Sequence, residues 1–143
     1  MTVGLHLRIV GALLLVLGVS HAWFNRYFGW KQELEAVSLL TRKMFFVHTF
    51  FIGLGVTLAG AGSLLYADSL LRPDPLSRAL LAGMTLFWFC RLLAQFFAYD
   101  RALWRGDRFR TFMHTAFTTL WCYVTATYGI ALATIWNAKP ALN

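Results

Sequence analysis

Four long apolar runs, separated by short polar segments, dominate the chain. They cover about residues 3–24, 44–67, 79–99 and 111–136, and each reaches the ~20 helical residues that cross a hydrocarbon core of about 30 Å. Short loops between helices favour antiparallel neighbours. The pattern therefore predicts an all-α fold, an antiparallel bundle of four transmembrane helices that forms a single integral membrane domain over residues 1–143.

The first polar segment carries a weaker helical pattern. Trp30, Leu34, Val37 and Leu40 recur at helical spacing, and most residues between them are polar or charged. A stripe of this kind is typical of a helix with one apolar face. We expect a short amphipathic helix that lies on the membrane surface in this loop.

Small residues recur along the first two runs. The second run has one ridge at Gly55, Ala59 and Ser63 and an adjacent ridge that includes Gly53 and Thr57. The first run offers Gly11 and Gly18. Small residues let membrane helices approach closely, so we expect close packing there. The first run has a rival interpretation as a signal peptide cleaved near Ser20-His21-Ala22; we expect a retained helix.

Composition places the chain among membrane proteins. Hydrophobic residues make up 59% of the sequence and charged residues only 13%, against about 25% charged in a soluble domain. The net charge is +7, but the positive residues cluster in short loops and no nucleic-acid recognition motif is present. The charge therefore indicates membrane topology, and we exclude nucleic acid as a partner.

The basic residues also predict orientation. The loops at 25–43 and 100–110 carry eight of them: Arg26, Lys31, Arg42, Lys43, Arg101, Arg105, Arg108 and Arg110. The opposite side carries four: Arg8, Arg72, Arg78 and Lys139. Because Lys and Arg are enriched in cytoplasmic loops, we expect both basic loops in the cytoplasm and both termini outside.

Ionisable residues fall at one depth in the predicted helices. His21, His48 and His114 each lie about one turn inside the end of a run that adjoins a basic loop. Gln95 lies at a similar depth, and Arg91 lies one turn further in on the same face. Ionisable groups at such depths are candidate functional residues. We therefore expect a polar site in the cytoplasmic leaflet.

A metal centre is one interpretation of this site. Imidazoles from different helices bind transition metals in helical bundles. His21, His48 and His114 would be the ligands, completed by Glu33 or Asp100 from just above. These two carboxylates would also be the candidate catalytic residues, acting as a further ligand or base.

A haem, a quinone or a lipid is the second interpretation. His48 and His114 would be the axial ligands of a haem, and Arg91 or Arg101 would meet its propionates or a quinone carbonyl. In the lipid variant, Arg91 holds an anionic head group and an aromatic run lines the tail. That run comprises Phe87, Trp88, Phe89, Phe96 and Phe97. Covalent haem is excluded because no Cys-x-x-Cys-His motif occurs.

The third interpretation is purely structural. The histidines and Gln95 would hydrogen-bond one another across helices, and Arg91 would pair with Asp100 or extend toward the head groups. The two cysteines, Cys90 and Cys122, lie within apolar runs, and we expect them to be buried thiols that serve as small apolar residues.

Local sequence also resembles a known group. The segment Leu7-Arg8-Ile9-Val10-Gly11 through Gly18, followed by an early polar position and three further spans, resembles the DoxX-like group of small four-helix bacterial membrane proteins. The resemblance implies a location in the bacterial inner membrane and an association with quinone-linked redox enzymes. It assigns no catalytic residue to this chain.

Together these patterns predict a membrane protein that binds a metal or an apolar redox or lipid ligand. Arg91 and Gln95 would orient that ligand, and the site would serve redox or hydrolytic chemistry. The rival interpretation is a non-catalytic accessory subunit whose aromatic faces dock a membrane protein partner. Replacing His48 by Ala is expected to abolish ligand binding in the first case and to change only stability or assembly in the second.

Overall fold

The computed structural model describes residues 2–100 and 103–138, without the side chain of Asn25. This part of the chain is helical and contains no strand. Its elements are α1 (Val3–Tyr27), α2 (Trp30–Glu33), a 3₁₀ turn (Leu34–Ala36), α3 (Leu39–Leu65), α4 (Ala67–Leu70), α5 (Pro75–Phe97) and α6 (Arg108–Trp136). Four of these helices, α1, α3, α5 and α6, are long and apolar enough to cross a membrane. The prediction of an all-α chain with four long apolar helices is confirmed.

Three of the long helices begin three to five residues before the predicted boundary because polar side chains cap them. The side chains of Ser38, Asp74 and Asp107 accept hydrogen bonds from the backbone N–H three residues ahead, at 3.2, 2.8 and 3.0 Å. Such caps satisfy N–H groups that the first turn leaves without a partner. Pro75 occupies the first turn of α5, where its missing N–H costs nothing.

The predicted amphipathic helix is shorter than the stripe of apolar residues from Trp30 to Leu40 that predicted it. Only Trp30–Glu33 is α-helical, and the 3₁₀ turn follows directly. Val37 then adopts an extended conformation, with φ −96° and ψ 161°, and Leu40 already belongs to α3. The extent of the predicted helix was wrong because the cap at Ser38 starts a new helix within the stripe.

The chain divides into two compact units. Residues 7–67 form the first, which we call the α1–α3 unit. The described residues of 1–6 and 68–143 form the second, which we call the α5–α6 unit. The first turn of α1 thus belongs with the C-terminal half of the chain.

Backbone-to-backbone contact characterises the α1–α3 unit. A Cβ placed on Gly60 would lie 2.6 Å from the backbone nitrogen of Leu15 and 2.8 Å from the carbonyl oxygen of Gly11. A Cβ on Gly18 would lie 2.7 Å from the backbone nitrogen of Thr57. By contrast, nothing lies within 4 Å of a Cβ on Gly55. Small residues therefore permit this close approach, as predicted, but Gly55 takes no part in it.

Larger side chains fill the α5–α6 unit. Trp88 on α5 and Tyr128 on α6 are among the largest buried side chains of the described residues. The first turn of α1 joins this unit through a 2.8 Å hydrogen bond between His6 Nδ1 and the Tyr123 hydroxyl. The side chains of the candidate site lie on helices α5 and α6 of this unit and on the loop between them.

Candidate functional site

A polar and aromatic cluster lies between α5 and α6. On α5, Trp88, Arg91 and Gln95 follow one another at spacings of three and four residues, so they share a helix face. On α6, His114 and Trp121 lie seven residues apart, which is two turns on one face. Side chains from these two faces meet in the contacts below, and we call this set the Arg91 cluster. Its members are Trp88, Arg91, Gln95, Tyr99, Trp104, His114, Phe117 and Trp121.

Three polar side chains form a continuous hydrogen-bonded chain. Arg91 Nη1 donates to Gln95 Oε1 at 3.1 Å. The amide Nε2 of Gln95 lies 2.8 Å from Nδ1 of His114. Gln95 is 5% exposed, so this chain connects a buried amide to a half-buried cation and a half-buried imidazole. Of the predicted site residues, the structure brings together these three.

Aromatic rings enclose the polar chain. The Trp104 ring stacks on the His114 ring, with centroids 3.9 Å apart and an interplanar angle of 14°. The guanidinium carbon of Arg91 lies 4.8 Å above the Trp121 ring and 5.9 Å from the Tyr99 ring. Trp121 in turn stacks on Trp88 at 5.2 Å and 13°, and on Phe117 at 6.0 Å and 18°. Cation–π contact with tryptophan stabilises a guanidinium by about 0.5–2 kcal/mol.

The Arg91 charge has no carboxylate counterpart within residues 2–100 and 103–138. Its hydrogen bond goes to a neutral amide, and its other contacts are aromatic faces. A cation is thus held in the apolar α5 by neutral groups alone, as far as the described residues extend.

Two indole N–H groups of the cluster are buried without an acceptor. Trp88 is 2% exposed and Trp121 is 4% exposed. Neither Nε1 atom has a hydrogen-bond partner among the described residues. Buried donors in proteins normally find a partner, and an orphaned donor calls for an explanation such as an unseen ligand or water.

The other two predicted histidines belong to the α1–α3 unit and are not members of the cluster. His21 Nδ1 donates to the carbonyl of Leu17 at 2.8 Å. His48 Nδ1 donates to the carbonyl of Met44 at 2.7 Å, and the His48 side chain is exposed. The Nδ1 atom of each ring thus hydrogen-bonds to a carbonyl of its own helix, four residues earlier in the chain.

The predicted metal centre gains no support. Among the described residues, no three His, Cys, Asp or Glu side chains form a group that could hold a metal ion. Glu33 is exposed at the end of α2, in the α1–α3 unit, and Asp100 is exposed in the loop after α5. Arg101, the alternative contact for a haem propionate or quinone, lies outside the described residues.

The prediction that the two cysteines are buried was wrong. Cys90 and Cys122 are exposed, not buried. Cys90 follows Trp88 by two residues, which is about 200° around the helix, so it faces away from the buried tryptophan. The residues of the predicted aromatic run likewise point to different sides of the helix, so some are buried and others exposed. Trp88 is buried, whereas its companions are exposed, namely Phe87, Phe89, Phe96 and Phe97.

The sequence pattern gave no site role to four cluster residues, Tyr99, Trp104, Phe117 and Trp121, and it did not reveal one hydrogen-bonded pair. Tyr99 continues the α5 stripe four residues beyond Gln95, and this spacing is a signal that could have identified it. Trp104 lies in the loop, where helical spacing gives no indication of its stacking on His114. The pair formed by His6 and Tyr123 is separated by 117 positions in the chain, so no local pattern could reveal it.

Comparison with known proteins adds no relative to this description. No family model matches the chain, and neither curated proteins nor solved structures give a match. The resemblance to the DoxX-like group remains an expectation from the sequence. The chemistry of the site is therefore argued from its own geometry.

Proposed function

We propose that this protein is a small integral membrane protein whose Arg91 cluster binds a lipid-soluble molecule through oxygen acceptors on its head. The observation that carries the proposal is the environment of Arg91. This cation lies six residues before the end of the apolar helix α5, about 9 Å along its axis. Neutral side chains alone surround it among the described residues.

Energetics favour a ligand at this position. An arginine within a membrane helix costs about 2.5–3.5 kcal/mol on the insertion scale. A single cation–π contact offsets about 0.5–2 kcal/mol of this. The buried N–H groups of Trp88 and Trp121 add a further penalty, since an unmatched buried donor costs about 1–3 kcal/mol. Oxygen atoms of a bound head group would reduce both penalties.

The membrane location is supported by the surfaces of the long helices. Large apolar side chains are widely exposed along them, and Phe97 is 83% exposed. Lipid is the solvent in which such surfaces are stable. Under the positive-inside rule the basic loops lie in the cytoplasm, both termini lie outside, and the resemblance to the DoxX-like group favours the bacterial inner membrane.

An antiparallel bundle is part of the proposal. Within the α1–α3 unit, the contacts run from Gly11 with Gly60 to Gly18 with Thr57. As the number on α1 rises, the number on α3 falls. Within the α5–α6 unit, the pairing of Gln95 with His114 and of Trp88 with Trp121 has the same sense. Both pairs thus favour neighbours of opposite direction.

Ligand titration of the protein in dodecyl maltoside micelles, which contain no carboxylate or phosphate, tests this function. Decylubiquinone supplies a carbonyl head and oleate a carboxylate head. Because three tryptophans lie in the cluster, binding of either compound should change tryptophan emission in a saturable way. Arg91→Gln should weaken binding at least tenfold. Arg108→Gln, the same charge change at an exposed residue of α6, is the control and should leave binding unchanged.

Two results would contradict the proposal. One is the absence of saturable binding by either compound to the wild-type protein. The other is equal binding by the wild type and the Arg91→Gln variant, with circular dichroism showing that both are folded. Equal binding would place the ligand away from Arg91.

A further inference from the structure

We infer that the head of the bound molecule is an oxyanion, a carboxylate or phosphate attached to an acyl tail, and not a neutral carbonyl or hydroxyl. This inference rests on the proposed function, because it specifies the chemistry of a ligand at the same cluster. It follows from the direction of each hydrogen bond in the cluster and from its charge.

The orientation of the Gln95 amide is determined by Arg91. A guanidinium has donors and no acceptor, so the amide oxygen must face it, as the 3.1 Å contact shows. The amide NH₂ then faces His114, at 2.8 Å from Nδ1. Since an amide nitrogen only donates, Nδ1 of His114 is the acceptor of this bond.

The proton of the His114 ring is thereby assigned. With Nδ1 accepting, the neutral imidazole carries its proton on Nε2, and Nε2 is a donor. Trp104 stacks on this ring at 3.9 Å, so it helps to fix the plane in which the N–H points. This tautomer lacks a lone pair on Nε2, which also explains why His114 is not prepared as a metal ligand through that atom.

The cluster therefore offers donors and few acceptors. Its donors are the Arg91 guanidinium, the His114 Nε2–H and the two unpartnered indole N–H groups of Trp88 and Trp121. The Gln95 oxygen already accepts from Arg91. A head group that only accepts complements these donors.

Charge distinguishes an anion from a neutral carbonyl. Arg91 has no ion pair within the part of the chain that the structure describes, and it contacts an amide and aromatic faces. A ketone or quinone would satisfy hydrogen bonds but leave the positive charge uncompensated in an apolar helix. A carboxylate or phosphate would satisfy the hydrogen bonds and also compensate the positive charge. It pairs with the planar guanidinium through two parallel hydrogen bonds.

Compounds that share a tail and differ in the head test this inference. Oleate, oleyl alcohol and dioleoyl phosphatidylglycerol are titrated into the wild-type protein in dodecyl maltoside micelles, which contain no carboxylate or phosphate, and binding is followed by tryptophan emission. Acetate and inorganic phosphate serve as competitors without a tail. We expect oleate and phosphatidylglycerol to bind at least tenfold more tightly than oleyl alcohol, and the two small anions to compete weakly.

Variants separate charge from geometry. Arg91→Gln should abolish the preference for oleate over the alcohol. Arg91→Lys should retain part of it, because the charge remains while the planar pair of donors is lost. Arg108→Gln should leave the preference intact. Nitrogen-15 NMR of labelled protein should show the His114 ring protonated at Nε2 and not at Nδ1.

Each alternative result has a distinct meaning. Equal affinity for oleate and oleyl alcohol, or tighter binding of decylubiquinone than of oleate, would overturn the oxyanion inference while leaving a lipid-soluble ligand at Arg91. Full competition by acetate or phosphate would contradict the inference that the ligand needs an acyl tail. Failure of every compound to bind would contradict the proposed function itself.

Discussion

The two units of the chain hold polar side chains in different ways. In the α1–α3 unit, backbones approach at glycine, and the two histidines bond to carbonyls of their own helices. In the α5–α6 unit, large rings separate the helices, and polar side chains bond across them. Close backbone contact leaves no space for a polar network, whereas large side chains create a layer in which one can form. The comparison explains why only one of the three histidines from the predicted set joins Arg91.

The difference also bears on what each unit could bind. His21 and His48 each donate their Nδ1–H to a carbonyl of their own helix, and no bond from another helix is seen for these two rings among the described residues. A histidine held by Gln95 and stacked on Trp104 has a defined ring plane and a defined proton. The candidate chemistry is therefore concentrated in the α5–α6 unit.

Glycine substitution in α3 should give the largest effect on stability. In Gly60→Ala the new Cβ would meet backbone atoms of α1 at 2.6–2.8 Å. Because backbone cannot rotate away, the helices must separate, and the free energy of unfolding should fall by about 3 kcal/mol. Unfolding by SDS in mixed micelles measures this change.

Gly62→Ala is the matched control, two residues along the same helix. Nothing lies within 4 Å of a Cβ at this position, so alanine should be neutral or should stabilise the helix by up to about 1 kcal/mol. Equal destabilisation by both substitutions would contradict the close crossing of α1 and α3.

Histidine substitution should distinguish the two units directly. His114→Ala removes the acceptor of a buried amide and the stacking partner of Trp104, so the free energy of unfolding should fall by about 1–2 kcal/mol. His48→Ala removes an exposed ring bonded to its own helix and should change it by less than about 0.5 kcal/mol. The same SDS unfolding assay applies. A larger loss of unfolding free energy for His48→Ala than for His114→Ala would contradict the assignment of the polar network to the α5–α6 unit.

Removing an orphaned donor should have a small effect in the ligand-free protein. Trp88→Phe deletes a buried N–H that lacks an acceptor. The gain from losing this unmatched donor offsets lost packing, so destabilisation should stay below about 1 kcal/mol. Trp88→Ala empties the same space and should cost several times more. The two variants should also differ from wild type in oleate binding, since both lack the indole donor.

The smallest effect concerns pH at the start of α5. The pKa of Asp74 lies below its ordinary value of 3.8, chiefly because the carboxylate accepts a hydrogen bond from the backbone N–H of Ser77. The stabilisation from this ionised cap is complete above pH 3.8 and is lost as the pH falls through the lowered pKa. Thermal unfolding followed by circular dichroism should show a decline below pH 3.8 that is reduced in Asp74→Asn, which keeps an acceptor but does not titrate. Identical declines in both proteins would remove Asp74 as the cause.

Much of the fold could be predicted because apolar runs longer than 20 residues have few alternatives. The number and type of the long helices followed from this, but their first residues did not. Ser38, Asp74 and Asp107 are polar and lie outside the apolar runs, yet each begins a helix by capping it. Helix starts are thus set by local hydrogen bonding, which a hydropathy pattern does not report.

The candidate site could be predicted only in part. Arg91 and Gln95 share a face at a spacing of four residues, and this spacing predicted the proximity that their hydrogen bond shows. Depth in the membrane placed His114 with His21 and His48, but depth does not determine the direction of a side chain around its helix. Trp104 could not be assigned to the site, because its position depends on how the loop folds back onto α6.

Native mass spectrometry of the detergent-purified protein would show whether the Arg91 cluster holds a lipid. The wild type and the Arg108→Gln control should both retain an acidic acyl lipid, released by activation and identified by its mass, at close to one per chain. The Arg91→Gln variant should lose it while remaining folded by circular dichroism. Retention of the same lipid at the same level by the Arg91→Gln variant would contradict a ligand site at the Arg91 cluster.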